Sequence, residues 1–294
     1  MEVLKSCPVC ESEKQSEFLV CKDYTVSQKN FSIAECLDCG FKFTNPRPEK
    51  EHLGKYYKSS EYISHSNTKK GLVNSLYQLV RKYTLKKKLE LINQLSDKGS
   101  ILDIGCGTGE FLNVCKNNGW FSLGIEPDED ARLLAKNNYD LNIKDEAHVD
   151  LLESNSFDVI TMWHVLEHVP DLNQRMKELY RLLKENGVIV IAVPNASSAD
   201  AAFYGKFWAA YDVPRHLYHF SKKTIISLFE KYNMNCIKVL PMKFDSFYVS
   251  LLSEKYKKGK VNLFKGFING LSSNLSSNEH GYSSQIYIFK KLQN

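Results

Sequence analysis

Ile101-Leu-Asp-Ile-Gly105-Cys-Gly107-Thr-Gly109-Glu-Phe-Leu112 decides the fold, because an apolar run ends there in three alternate glycines and opens a helical stretch. Glycine permits positive φ and lets a ligand approach the backbone where a Cβ would collide, so this turn reads as a ligand cradle. The next apolar run ends Leu123-Gly124-Ile125-Glu126-Pro127, which puts a carboxylate 21 residues after Gly105 at the tip of a neighbouring strand. An acid in that place accepts the ribose hydroxyls of a nucleoside. A nicotinamide dinucleotide would ask for Gly-x-Gly-x-x-Gly with its pyrophosphate on the helix start. The spacing here is Gly-x-Gly-x-Gly, and the charge of Asp103 just before the turn disfavours pyrophosphate. It suits a cationic ligand carrying an ammonium and a sulfonium.

Around this turn, short apolar runs alternate with helical stretches. Residues 101–104, 121–125, 141–143, 157–162 and 188–193 read as strands. Glu110 to Asn117, Asp128 to Asn137 and Leu172 to Lys184 read as helices, the last stopped by Asn186-Gly187. Alternation of this kind gives a parallel sheet covered on both faces. A further helix from Ser221 to Tyr232 and two closing strands, 236–240 and 285–290, follow, and Ser272 to Ser277 reads as a polar loop.

Upstream the composition changes. Cys7-Pro-Val-Cys10 and Cys36-Leu-Asp-Cys39 are two knuckles separated by 25 residues, room for an inserted hairpin. Four thiolates at such spacing close a tetrahedral zinc site with Zn–S of about 2.3 Å. Neither pair precedes a helix of a βαβ unit, as a redox pair would. The expected division is a four-Cys zinc-binding domain at 1–68, a basic amphipathic linker helix at 69–98 and an α/β domain at 99–294. Residues 69–90 carry seven Lys/Arg and one acid, while the whole chain of 294 residues has a formal charge of +5. The basicity therefore belongs to one helix, with Leu72, Leu76, Leu79, Val80, Tyr83, Leu85, Leu89 and Ile92 on its apolar side and Lys86, Lys87 and Lys88 on its wet side. A composition of 43% hydrophobic and 25% charged residues excludes whole-chain disorder and coiled coil. No apolar run approaches the roughly 20 residues that span a bilayer. The start Met1 to Lys5 lacks a secretory pattern, so a cytoplasmic location is expected.

With these motifs the sequence resembles the class I S-adenosylmethionine-dependent methyltransferases over residues 99–240, chiefly through Leu102 to Gly109 and Phe157 to Val169. The resemblance implies a Rossmann-like seven-stranded sheet with one antiparallel strand, here preceded by a small zinc-ribbon-like domain. It places Asp103, Gly105, Cys106, Gly107, Gly109, Glu126 and Pro127 at the cofactor, Asp145, Glu146 and Ala147 along its adenine, and Met162 and Trp163 beside its methionine end. The four-Cys start, Phe43-Thr-Asn-Pro-Arg-Pro48 and Tyr211-Asp-Val-Pro-Arg-His216 also resemble bacterial sugar- and polysaccharide-associated methyltransferases. In the sugar C-methylating members a Glu precedes the His, where this chain has Arg215. The resemblance implies a small-molecule acceptor, a sugar nucleotide being favoured, and matches His216 to the family's His; His216 and His164, the latter beside the expected methyl site, are the catalytic candidates, and Arg215 with the basic helix suits phosphate through bidentate contacts. An RNA acceptor, for which the chain lacks a long basic stripe, a quinone or other small acceptor, and a cofactor-binding scaffold without turnover are the alternatives.

Overall fold

The computed structural model describes residues 1–57 and 72–292, without the side chains of 72–77. The expected boundary at residue 68, the polar stretch 64–70, the start of the basic stretch at 69 and the side chains of Leu72 and Leu76 lie outside the described residues. Strands β4 (Ser100–Ile104), β5 (Phe121–Ile125), β6 (Ile143–Lys144), β7 (Phe157–Trp163), β8 (Leu183–Pro194), β10 (Met234–Pro241) and β11 (Ser284–Lys291) form one sheet. Its order is β10-β11-β8-β7-β4-β5-β6. Only β11 runs antiparallel to its neighbours in the interior of this sheet, pairing with β8 on one side and β10 on the other. This is the expected seven-stranded class I architecture. From Val188 to Val193 β8 is buried on both faces, as a central parallel strand demands.

Helices α2 (Leu72–Leu95), α3 (Glu110–Asn117), α4 (Glu129–Tyr139), α5 (Leu172–Leu182) and α7 (Lys222–Glu230) cover the sheet, after the one-turn α1 (Lys50–Leu53) and with the short α6 (Ala199–Tyr204) beyond β8. Local chemistry sets their starts. Asp128 and Asp171 accept backbone N–H groups at the N-termini of α4 and α5, and Ser221 and Thr224 form a reciprocal capping box on α7. Two expected boundaries shift. Helix α5 stops at Leu182 rather than running to the Asn186-Gly187 signal, because buried Leu183 already pairs with Phe157 in the sheet. Sheet pairing overrides the local stop. The supposed polar loop at 272–277 is helical, split between α9 (Leu263–Leu275) and α10 (Ser277–His280). Helix α9 turns Gly266 and Gly270 toward α8 (Asp245–Lys258), where a Cβ would fall 2.6 Å from Leu251 Cδ2 and 2.8 Å from Phe247 Cδ1. Small residues allow the close approach, and Phe267 stacks on Phe247 of α8 at 5.2 Å, while Phe264 and Leu275 face outward.

The N-terminal segment contains the expected hairpin, β1 (Gln15–Lys22) and β2 (Asn30–Cys36), followed by β3 (Lys42–Thr44). Its sheet is completed from far along the chain: β9 (Tyr218–His219) pairs antiparallel with β3. Thr44 Oγ1 donates to the His216 carbonyl at 2.7 Å, and Arg47 Nη1 donates to Tyr218 Oη at 2.8 Å. Arg215, only 2% exposed, donates to Asp212 at 2.5 and 2.8 Å, to the Tyr56 carbonyl at 3.0 Å and to Asp23 at 3.3 Å. Asp23 also accepts from Thr25, Val26 and Ser27, so the clamp is fully hydrogen-bonded. The expected use of Arg215 for phosphate gives way to this one: burial opposes its charge, but Asp212 and Asp23 hold the guanidinium firmly protonated and occupied.

Breaking a buried ion pair from one side leaves an uncompensated charge, at a cost of about 3–5 kcal/mol. Arg215→Met is accordingly expected to lower the urea-unfolding free energy by about 3 kcal/mol or more. A loss under about 1 kcal/mol, the value of an exposed pair, would show the clamp to be unimportant.

Candidate functional site

The loop between β4 and α3 holds Gly105, Gly107 and Gly109 at φ of +71°, +54° and +81°. Gly107 has open space where a Cβ would be, and its N–H donates to Glu126 Oε2 at 2.8 Å. The other oxygen of Glu126 accepts from the Asp128 N–H at 2.9 Å. Glu126 is thus fixed at the tip of β5, against the loop. Burial raises its pKa above the usual carboxylate range despite these two backbone bonds. Pro127 is exposed beside it, with its carbonyl accepting from Arg132.

Asp103, 2% exposed, accepts from Thr161 Oγ1 at 2.6 Å, which joins the C-terminal ends of β4 and β7. Burial pushes its pKa up to about 7, against the pull of that hydroxyl and of Lys88. Trp163 and Phe111 form an edge-to-face pair at 5.4 Å on the same side, and Lys88 Nζ lies 4.1 Å from the Trp163 ring centroid. Lys88 is therefore not on the wet side of α2. Burial lowers its pKa, while Asp103 and Asp245 favour its charge. The spacing held the signal, since Lys88 falls three residues after Leu85 and four before Ile92 on the buried face. Lys86 and Lys87 do lie outside, within reach of Glu90, whereas Leu79 and Tyr83 are exposed rather than part of the apolar stripe.

The other sequence-derived positions divide. Cys106 borders the loop, its thiol pushed up by burial. Asp145 caps the short 3₁₀ helix Glu146–Leu151, Ala147 is exposed on it, and the Glu146 carboxylate is taken by Arg175 of α5. The Met162 side chain is wholly within the core, which leaves Trp163 as the strand-end side chain on the open face.

Beyond β7 the backbone turns at His164, at a φ of +57°. Its Nε2 lies 3.0 Å from Asp245 Oδ2 and its Nδ1 3.5 Å from Glu167 Oε1. Burial depresses the imidazole, but the two carboxylates more than offset this and hold its pKa up at about 10. In this setting His164 is a donor and a positive charge. Glu167 follows His164 by three residues, so that contact is local, whereas Asp245 reaches His164 by tertiary placement alone. His216 Nδ1 lies 2.8 Å from the Ala210 carbonyl, and its ring meets His168 edge-to-face at 4.6 Å. His219 is structural: it is 5% exposed, with Nε2 3.1 Å from Thr44 Oγ1.

Far along the N-terminal module, Cys7, Cys10, Cys36 and Cys39 bring four Sγ atoms within 4.8 Å of one another, with 3.6 Å between Cys7 and Cys39 and 3.4 Å between Cys10 and Cys36. Four sulfurs about 2.3 Å from a tetrahedral ion lie nearly this far apart, so the donor set fits zinc. Burial raises the Cys7 and Cys39 thiols, whereas the backbone N–H groups of Cys39 and Asp38 outweigh burial at Cys36 and lower it.

Comparison with known proteins gives the same reading. The family model described as "Methyltransferase domain" matches residues 77–239. A ubiquinone biosynthesis O-methyltransferase of Rickettsia prowazekii is 27% identical over 181 residues, 59% of this chain and 71% of that one. Its counterpart in Coxiella burnetii is 31% identical over 125 residues, 37% of this chain, and the chain spans about half (53%) of that protein's length. Among solved structures, a SAM-dependent methyltransferase from Archaeoglobus fulgidus superposes with a TM-score of 0.52 at 22% identity, covering 72% of this chain and 94% of that one. A possible histamine N-methyltransferase from Thermotoga maritima gives 0.51 at 21% identity, covering 74% and 96%. At such identities the likeness is one of fold. The family match spans more than half of the chain, and with the loop, the strand-tip acid and the sheet order it makes this protein a member of the methyltransferase-domain family, an S-adenosylmethionine-dependent methyltransferase.

Proposed function

We propose that the protein transfers the methyl group of S-adenosylmethionine to a hydroxyl of a small acceptor, a sugar being the first class to test. The observation that carries this reading is the cluster of His164, Glu167, His168 and His216 just beyond β7, next to the glycine loop. When bound, the cofactor supplies a methyl group on a sulfonium, already activated for attack. Asp103 then provides the negative charge for its cationic end, Glu126 takes the ribose hydroxyls, and Trp163 and Phe111 wall the site from water. Glycines 105, 107 and 109, Cys106 and Pro127 border the cofactor, with Asp145 and Ala147 near its adenine. Glu146 is spent on Arg175. A sugar hydroxyl holds its proton tightly, so polar side chains that draw the proton away belong beside it. His164 orients the acceptor, and His216, whose Nδ1 is engaged by a carbonyl, keeps its Nε2 lone pair toward the cluster. With Arg215 buried in its clamp, acceptor affinity is expected to rest on the sugar rather than on a nucleotide diphosphate. The four cysteines hold a structural zinc ion that staples a module too small for a large core of its own.

A phenolic acceptor is the second reading, favoured by the names of the relatives from Rickettsia and Coxiella. A panel of sugars, sugar nucleotides and catechols, followed by S-adenosylhomocysteine release, decides between them. Turnover on sugars supports the first reading, and turnover on catechols alone replaces it.

Only ionised Asp103 attracts a cation, and its pKa lies near 7. Calorimetric affinity for S-adenosylmethionine should therefore strengthen from pH 6 to pH 8 with proton release, and Asp103→Asn should flatten this profile. For stability the sign is the reverse: below the unfolded pKa of about 4 the neutral carboxyl carries no charge-burial penalty, and stability falls as pH rises from there through about 7, where the buried group ionises at a cost. Glu126→Ala should abolish micromolar binding of both the cofactor and its demethylated product. His216→Ala should lower turnover at saturating cofactor by about 10² or more; near wild-type turnover would remove it from the mechanism. Zinc X-ray absorption should find sulfur at about 2.3 Å, and an all-nitrogen and oxygen shell would exclude the four-cysteine site.

A further inference from the structure

Glu167 is a charge buried in the core without a hydrogen bond among the described residues. Its side chain is fully buried, and among the described residues neither carboxylate oxygen has a hydrogen-bond partner. The His164 ring at 3.5 Å is an ion-pair neighbour beyond good hydrogen-bond reach. A buried carboxylate with no hydrogen bond is costly even beside a charged His164, which Asp245 already engages, so the position has room for a ligand in direct contact with its oxygens. Two imidazoles share the pocket with it. One ligand atom each from Glu167, His168 and His216 lies within 4.8 Å of the others.

Both rings are held from behind. His216 Nδ1 sits 2.8 Å from the Ala210 carbonyl, and His168 Nδ1 sits 3.0 Å from the Arg215 carbonyl and 2.9 Å from Tyr57 Oη. A ring that donates Nδ1–H to a carbonyl keeps its lone pair on Nε2, which is how ligating histidines are oriented in metal centres. The backbone fixes the set further, because the Leu217 N–H donates to the Glu167 carbonyl at 2.7 Å and so ties the histidine segment to the turn after β7. Ligands about 2.1 Å from an ion lie at most about 4.2 Å apart, a spacing small side-chain rotations reach from here.

We propose that Glu167, His168 and His216 form a second metal site, distinct from the four cysteines, which takes a first-row divalent cation and leaves coordination positions open. Two nitrogens and one oxygen suit manganese, iron, cobalt or zinc, and three protein ligands leave room for water or an acceptor hydroxyl. The use of the site in catalysis rests on the methyl-transfer reading above; the site itself does not. A hydroxyl on the ion releases its proton to water more readily. The freed oxygen pair forms the O–CH₃ bond as the S–CH₃ bond breaks, and the electrons of that bond stay on sulfur to neutralise the sulfonium. His216 is then a ligand, not the base.

Manganese is the discriminating probe, since an oxygen and nitrogen set accepts it while a four-thiolate site does not favour it. Full-length protein titrated with Mn²⁺ and followed by electron paramagnetic resonance should bind about one ion per chain, with pulsed spectra showing coupling to imidazole ¹⁴N. Glu167→Gln and His216→Asn should each weaken binding at least about tenfold. Absence of Mn²⁺ binding, binding unchanged in Glu167→Gln, or a bound ion with no ¹⁴N coupling would each overturn the site. The ¹⁴N result needs only the wild-type chain, so it decides even where a variant fails to fold. Calorimetry with S-adenosylmethionine on the same samples separates the two readings. Cofactor binding without Mn²⁺ removes the metal alone, and Mn²⁺ binding without the cofactor removes the methyl-transfer reading alone.

Discussion

The guanidinium of Arg215, shut away from water between Asp23 and Asp212, is the contact on which the arrangement of the molecule depends. Asp23 belongs to the loop after the first strand, and Asp212 to the segment that follows the large sheet's central strands. One side chain therefore fixes the cysteine module against the catalytic half. It also fixes the residue next to it, His216, whose carbonyl accepts from Thr44 and whose ring rests on His168. Together with the β3–β9 pairing and the Leu217 N–H bond to the Glu167 carbonyl, that anchor aims a segment with little regular structure, and its histidines, at the end of β7.

Charge burial is the common theme of the site. Asp103, Glu126 and Glu167 are all withdrawn from water, which is expensive for a fold. The three are answered differently. Asp103 has one hydroxyl and a nearby ammonium, Glu126 has two backbone N–H groups, and Glu167 has only histidines around it. Graded satisfaction of this sort separates groups placed for structure from groups waiting for a ligand.

The sheet, the turn of alternate glycines and the acid at the neighbouring strand tip were legible because their signals are local: apolar runs of strand length, glycines at alternate positions, a carboxylate closing the next run. The hairpin between the cysteine knuckles was legible from spacing alone. The roles of Lys88, Arg215, Glu167 and Asp245 were not, because each is defined by a partner distant in sequence. Lys88 looked like one more solvated lysine of a basic helix, and only its phase relative to Leu85 and Ile92 hinted otherwise. Arg215 looked like a phosphate ligand until its two carboxylates came into view. The end of α5 was misjudged for a related reason, since pairing with Phe157 outweighs a local Asn-Gly stop.

The pairing of Lys42 with His219 and Phe43 with Tyr218 also bears on how the chain is made. During synthesis at roughly 5–20 residues per second, strand β3 waits about 10 to 35 seconds before its partner leaves the ribosome. Through that interval the module carries an open sheet edge and four reduced thiols, the state most prone to wrong pairing between nascent chains. A metal ion captured early by the cysteines would cover the thiols, while the edge of β3 stays open until Tyr218 and His219 arrive.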